Sequence, residues 1–269
     1  MNDLAHELAV AIDLAREAGR VVVELRGGPL GVEMKVGDEP VTIADKRASE
    51  LIVGGLVAAF PRDSVVSEEA PVGDALDVTR MWLVDPIDGT KDFIRGGDGF
   101  SVMIGLVLDG RPVLGVVHQP TLGLTYFASP AGAFVTAADA TTPLAVSTVA
   151  TAGEARLVAS ASHRTAMIDE VKTTLGIADE QNVGSVGVKL CLIAQARRDL
   201  YVNPTAKTKA WDTCAPEAIL VGAGGRLSDL SGALVDYRVV APQRGLIASN
   251  GRIHREVVAK LAPLFQRTP

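Results

Sequence analysis

At 269 residues and 48% hydrophobic positions, the chain can bury a large core, as one big domain or two modest ones. A net charge of -6 argues against a groove for a nucleic-acid polymer, and no apolar run is long enough to span a bilayer, which argues against stable membrane association. Two cysteines, Cys191 and Cys214, in apolar surroundings and without metal-ligand spacing, exclude a disulfide framework and read as packing residues. The N-terminus opens with Asn2, Asp3, His6 and Glu7 inside an amphipathic pattern and not with a signal peptide, so the expected address is cytoplasmic.

Leu4, Leu8, Ala11, Ile12, Ala15 and Ala18 recur at helical spacing and predict a helix from residue 3 to about 26, closed by Gly27, Gly28 and Pro29. A second helix is expected from about Asp45, with Ala48, Leu51, Ile52 and Leu56 on one face and Pro61 as its stop. Between them, Lys35 to Pro40 is a polar loop and a candidate active-site flap. Short strands follow at Ser64–Ser67, Met81–Val84, Ser101–Leu108, Pro112–Gln119, Leu124–Ala128 and Ala133–Thr136, with Asp109-Gly110 as a hairpin turn.

Beyond residue 140 the pattern alternates. Strands are expected at Arg156–Ser160, Leu200–Asn203, Arg226–Ser228 and Gly245–Ala248. Helices are expected at Ala166–Leu175, Val188–Ala196, Thr213–Gly222 with Asp212 as N-cap, and Arg252–Phe265. The Ala/Thr-rich stretch Ala137–Pro143 reads as a linker, giving an N-terminal α+β domain over 1–140 and a C-terminal α/β domain over 141–269.

The run Asp85-Pro86-Ile87-Asp88-Gly89-Thr90 carries the most chemistry. It sets two carboxylates and a hydroxyl on a stiff turn after the apolar strand Met81–Val84, where open sheets hold their ligands. Pro86 fixes φ and Gly89 permits φ > 0, so the acids are held in place. Hard divalent cations take carboxylate and carbonyl oxygens, which this turn offers. Taken alone, Asp-Pro and Asp-Gly also mark ordinary turns. Further acids stand at Glu68-Glu69 after a strand and at Asp45 and Asp212 at helix starts, where capping is the simpler role for the last two.

Together these segments resemble the inositol monophosphatase superfamily of magnesium-dependent, lithium-sensitive phosphomonoesterases. Trp82 to Thr90 looks like its first signature, and Trp211-Asp212-Thr213-Cys214-Ala215-Pro216, running on to Gly225, like its second. Ser67-Glu68-Glu69 and Val41-Thr42-Ile43-Ala44-Asp45 match in order and approximate spacing. The resemblance implies a layered αβαβα sandwich of the inositol monophosphatase/sugar phosphatase type, with the site between its two parts. It also implies that Glu68, Asp85 and the Ile87 carbonyl hold one Mg2+, that Asp85, Asp88 and Asp212 hold a second, and that Glu68 with water holds a weaker third. Thr90 and Asp45 would orient and deprotonate the attacking water, while Gly89 and Thr90 N–H groups meet the phosphate.

Lys91-Asp92-Phe93-Ile94, Ser160-Ala161-Ser162-His163 and Gly184-Ser185-Val186-Gly187-Val188-Lys189 look like the 3'(2'),5'-bisphosphate nucleotidase branch, of which the bacterial sulfur-assimilation type is nearest. That implies a small phosphorylated nucleotide, adenosine 3',5'-bisphosphate, as substrate, with Ser162, His163, Ser185 and Lys189 around its 5'-phosphate or ribose. Lys207 and Lys209 can add positive field there, and Tyr201, Tyr237 and Phe93 are the candidates for stacking on adenine. Pro216 stands where inositol phosphatases usually carry Gly; proline is tolerated in a first helical turn, and its presence favours the nucleotidase. The competing readings are inositol 1-phosphate, fructose 1,6-bisphosphate or histidinol phosphate as substrate, and, from another class, a non-catalytic ligand-sensing relative. Members of the superfamily occur as monomers and homodimers.

Overall fold

In the computed structural model, which describes residues 4–35, 37, 39–70, 78–138, 140–239 and 245–266, two sheets are interleaved with three helical layers. Helices α1 (Ala5–Leu25) and α2 (Ile43–Ala59) are joined through the small hairpin β1 (Glu33–Lys35) and β2 (Glu39–Val41). Strands β3 (Ser64–Ser67), β4 (Arg80–Asp88), β5 (Ser101–Leu108), β6 (Arg111–Gln119), β7 (Leu124–Ser129), β8 (Gly132–Ala137) and β9 (Ala140–Pro143) form a seven-stranded sheet in sequence order. Only its β3–β4 pair is parallel. The short helix α3 (Thr90–Ile94) follows β4.

The second sheet has five strands in the order β11-β10-β12-β14-β13. These are β10 (Leu157–Ser160), β11 (Glu180–Val183), β12 (Leu200–Asn203), β13 (Arg226–Ser228) and β14 (Leu246–Ser249), connected through α4 (Met167–Leu175), α5 (Val186–Ala194), α6 (Ala210–Gly222) and α7 (His254–Phe265). Helices α1 and α2 cover one face of the large sheet, α5 and α6 lie between the two sheets, and α4 with α7 covers the far face of the small one. This is the expected αβαβα layering. Among the described residues no helix is long and apolar enough to cross a membrane.

The apolar run of β4 is explained by burial on both faces. Trp82 and Val84 point into the core under α1 and α2, whereas Met81 and Leu83 point into the core around α5 and α6. Each large apolar side chain so buried contributes ~1.5–3 kcal/mol. Continuing that alternation by one step turns Asp85 toward α6, out of an apolar layer and into the cleft.

Helix α6 can lie close to the large sheet because Gly105 of β5 and Gly115 of β6 are paired in register beneath it. A Cβ on Gly105 would come within 2.5 Å of the Cys214 sulfur, and one on Gly115 within 2.1 Å of the Ala215 carbonyl oxygen. Two adjacent glycines thus make the groove that seats the helix carrying Asp212.

Several sequence expectations are corrected. Ala140–Pro143, read as linker, is the edge strand β9, recruited by pairing with β8. The Lys35–Pro40 loop is framed by the β1–β2 hairpin, with Val36 and Asp38 outside the described residues. Pro216 sits in the interior of α6 and not in its first turn. Its missing N–H leaves the Asp212 carbonyl without an α-helical partner. Asp212 is not the N-cap of α6; Lys209 is, and Asp212 is the third helical residue. Cys191 and Cys214 are free and buried, as packing residues should be.

Candidate active site

The cleft between the two sheets is lined by Glu68, Asp85, Ile87, Asp88, Gly89, Thr90 and Asp212, among others. Pro86 breaks the ladder of β4, whose register against β5 shifts between Asp85 and Asp88. Both acids therefore emerge at the strand mouth instead of alternating across the sheet. Gly89, at φ 98°, turns the chain into α3, and Thr90 is the first residue of that helix. A Cβ at Gly89 would lie 2.7 Å from the Gly99 carbonyl oxygen, so the turn needs glycine for space as well as for φ.

Two helix starts bring further acids. Thr42 caps α2, and Asp45 Oδ2 accepts both its backbone N–H at 2.7 Å and its hydroxyl at 2.6 Å. The other oxygen, Asp45 Oδ1, lies 3.2 Å from Thr90 Oγ1. Thr90 Oγ1 is also 3.0 Å from the Ile87 carbonyl, and its one proton serves one acceptor at a time. Asp45 is buried and does not line the cleft, so it reaches the cleft through Thr90. Asp212 repeats the device on α6, its Oδ2 accepting the Lys209 N–H at 2.6 Å.

Burial, followed by the charges of Glu68, Asp88, Asp212 and Asp45, pushes the Asp85 carboxyl well above the usual range. Asp212 is pushed up by the same causes, burial first and then Glu68 and Asp88. Burial also raises Asp45, against the hydrogen bonds from Thr42 and Thr90. The Lys35 ammonium lies 2.9 Å from Glu68 and 2.5 Å from Glu69. Its pKa is raised, because those two carboxylates outweigh the burial that opposes its charge.

The donor set fits a hard divalent cation. Asp85 Oδ1 is buried without a hydrogen-bond partner, in a cluster whose members repel one another, and a cation among them relieves both costs. The acids are nonetheless not closed into a ready-made cage: among the described residues no three acidic, histidine or cysteine side chains converge as a metal group. Three of them are drawn to a protein partner, Glu68 to Lys35, Asp88 to Ser185 and Asp212 to the Lys209 backbone.

The same cleft also carries cations. Ser162 and His163 line it from the loop after β10, joined by Lys91, Lys189 and Lys207. Lys91 Nζ lies 3.0 Å from His163 Nε2. Partial desolvation, then Lys91, Lys207 and Lys189, lower the His163 pKa and favour the neutral ring. Lys189 is buried, its ammonium donating to the Val183 carbonyl at 3.3 Å and to the Gly184 carbonyl, over the Tyr201 ring. Burial lowers it to about 8.

Of the aromatic candidates only Tyr201 lines the cleft, together with Trp211. Phe93 is packed against Phe100 in the core, and the Tyr237 hydroxyl is spent on Glu217. Lys91 was legible only as a flank of Thr90, and Ser101, 2.9 Å from Ser185 Oγ, carried no signal of its own.

Residues 3–267 match the model of the inositol monophosphatase family. The chain belongs to that family. It is a phosphatase of the inositol monophosphatase superfamily, similar to the 3'(2'),5'-bisphosphate nucleotidase CysQ of Salmonella typhimurium, with 37% identity over 83% of this chain and 91% of that protein. It is also 33% identical to the histidinol-phosphatase of Mycobacterium tuberculosis, over 97% of this chain and 98% of that one. Among solved structures of the family, the Thermotoga maritima IMPase superposes with a TM-score of 0.83 at 28% identity, covering 97% of this chain and 98% of that one.

Proposed function

We propose that the chain is a magnesium-dependent phosphomonoesterase that removes the 3'-phosphate of adenosine 3',5'-bisphosphate, yielding AMP and phosphate. One observation carries this reading. A single cleft joins a carboxylate cluster with an orphaned buried oxygen to a wing of Lys91, His163 and Lys207. Such a cleft suits a substrate with two phosphates, one neutralised at the acids and the other by the cationic wing. The likeness to a bisphosphate nucleotidase supports the same substrate.

Glu68, Asp85, Asp88, Asp212 and the Ile87 carbonyl are the groups that would hold magnesium, which supplies positive charge and Lewis acidity at the transferring phosphoryl group. Thr90 Oγ1 accepts the proton of the attacking water while its own proton passes to Asp45 Oδ1, 3.2 Å away. The water oxygen bonds to phosphorus, the bond to the 3'-oxygen breaks, and that oxygen takes a proton from solvent. The raised pKa of Asp45 suits a proton acceptor. Gly89 and Thr90 N–H groups orient the phosphate, and Ser162 and His163 meet the far end of the nucleotide.

Histidinol phosphate, the substrate class in the name of another relative, is the main competitor. Its ammonium group would meet Lys91 and Lys207, which disfavours it. Steady-state kcat/KM with Mg2+ for adenosine 3',5'-bisphosphate, inositol 1-phosphate, fructose 1,6-bisphosphate and histidinol phosphate tests the assignment. The bisphosphorylated nucleotide is expected to rank first; a different leader overturns the substrate, and no phosphate release from any of them overturns the chemistry.

A further inference from the structure

We propose that Ser185 is a positioning residue for Asp88 and not a substrate contact, an inference that rests on the metal-dependent reading above. Ser185 caps α5, in the half of the chain opposite to Asp88. Its hydroxyl donates to Asp88 Oδ2 at 2.5 Å, and the Gly187 N–H donates to the same oxygen at 2.7 Å. One free N–H of the helix start and the cap hydroxyl thus clamp an acid that arrives on β4 from the other half.

The hydroxyl is saturated. Its single proton goes to Asp88, and its oxygen accepts the Val188 N–H at 3.0 Å and lies 2.9 Å from Ser101 Oγ, which can donate to it. A serine hydroxyl has one proton and two lone pairs, so no donor is left to offer a phosphate oxygen. Ser185 lines the cleft but is only 3% exposed.

Its backbone shows that the position is held at a cost. Ser185 has φ 22° and ψ 124°, a conformation that side-chain-bearing residues rarely adopt. Such strain persists where surrounding contacts over-determine it, and here they are the four polar contacts of the clamp. The consequence lies at Asp88. With Oδ2 committed to the clamp, Oδ1 is the oxygen available to a cation. The clamp also ties α5 to β4, and α5 packs on α6, which carries Asp212, so one set of contacts keeps acids from the two halves in register.

Ser185→Ala removes the hydroxyl alone; Ser185→Gly removes the hydroxyl and the backbone strain together. Mn2+ affinity of the full chain without substrate, its Tm in chelator, and KM for adenosine 3',5'-bisphosphate at saturating Mg2+ separate the roles. Loss of a partner that orients a metal ligand typically weakens metal binding ~10–100-fold. A Mn2+ Kd raised about tenfold or more in both variants, with KM at saturating metal within about twofold of the parent, is the expected result. The Ser185→Gly protein should melt at or above Ser185→Ala, which shows that weaker metal binding is not a folding defect. An unchanged Mn2+ Kd in both variants overturns the proposal, and a raised KM beside it restores the substrate contact. A parent chain that binds no divalent cation overturns the metal-dependent reading itself, whatever the variants do.

Discussion

Asp45 and Asp212 occupy the same position in two helices from different halves of the chain, each the third helical residue with Oδ2 bound to the N-cap backbone N–H, at 2.7 Å and 2.6 Å. Capping and chemistry, which look like alternatives at these positions, are divided between the two oxygens of one carboxylate. The cap fixes the rotamer and leaves Oδ1 aimed away from the helix. In Asp45 that oxygen meets Thr90; in Asp212 the side chain faces the carboxylate cluster.

Asp45→Asn is expected to keep the cap, because the amide oxygen can still accept, while losing the proton acceptor behind Thr90. General-base contributions are typically ~10²–10⁴-fold, so kcat should fall by about that factor with the melting point little changed. Stopped phosphate-release assays beside thermal melts check this; wild-type turnover in Asp45→Asn would remove Asp45 from the proton path.

Asp85→Asn should stabilise the metal-free protein while abolishing its response to magnesium. The carboxylate is buried, lacks a partner at Oδ1 and is repelled by its neighbours. Relief of ~1 kcal/mol raises Tm by about 2–4 °C in a chain of this size. Melts in chelator and in Mg2+ are the measurement. A lower Tm in chelator, with the magnesium response intact, would contradict the placement of the cation.

Lys91→Met should raise KM for adenosine 3',5'-bisphosphate about tenfold, the loss of ~1.4 kcal/mol from a charge-assisted contact. Adenosine 3'-monophosphate, which has no 5'-phosphate, should be hydrolysed with an unchanged KM. Equal effects on the two substrates would show that the pair Lys91–His163, 3.0 Å apart, does not read the second phosphate.

Stability should fall between pH 6.5 and pH 4. Burial pushes both His118 and His254 down to about 4, whereas the unfolded chain titrates near 6.5. In that window the unfolded state binds protons that the folded state refuses, so ΔG of unfolding decreases as pH falls, by up to ~1.4 kcal/mol per pH unit for each histidine. His254 is wedged between Ser228 and Ser249, each 2.9 Å away. Denaturant melts of His254→Gln across this range should show a shallower slope; an unchanged slope would mean that His254 protonates in the folded protein.

Gly115→Ala should lift α6 from the large sheet, since a Cβ there would sit 2.1 Å from the Ala215 carbonyl. Overpacking of this kind costs ~1–3 kcal/mol. Urea melts should show that loss, with weaker Mn2+ binding because Asp212 rides on the displaced helix. A variant with unaltered stability would show that the helix–sheet contact is looser than the geometry states.

Much of the first half was legible because its elements carry local signals. The helical period of α1, the stop at Pro61 after α2 and the Asp109-Gly110 turn between β5 and β6 need no distant partner to be read. Strand β9 was read as linker because Ala140-Thr-Thr-Pro143 has a turn-like composition, and only the open edge of β8 makes it a strand. Strand β11, Glu180–Val183, escaped for the same reason: a polar sheet edge has no apolar alternation to betray it. Lys189 was expected beside the substrate's 5'-phosphate or ribose, but that its ammonium is held by main-chain carbonyls was not legible, because such partners leave no mark in a side-chain pattern.

The sequence by itself determined the inventory of the site. Two acids and a hydroxyl on a Pro- and Gly-stiffened turn, an acidic pair at a strand end, and two acids at helix starts are consequences of composition and short spacing. The caps of Asp45 and Asp212 are local, but the partner that the other Asp45 oxygen meets, and which oxygen of Asp88 remains free, were decided only by tertiary structure. Asp88 and Ser185 are 97 residues apart, and Thr90 and Asp45 are 45 apart. Hydrogen bonds are allotted when the halves pack, because each proton and lone pair can be spent once, and no local pattern states where it goes.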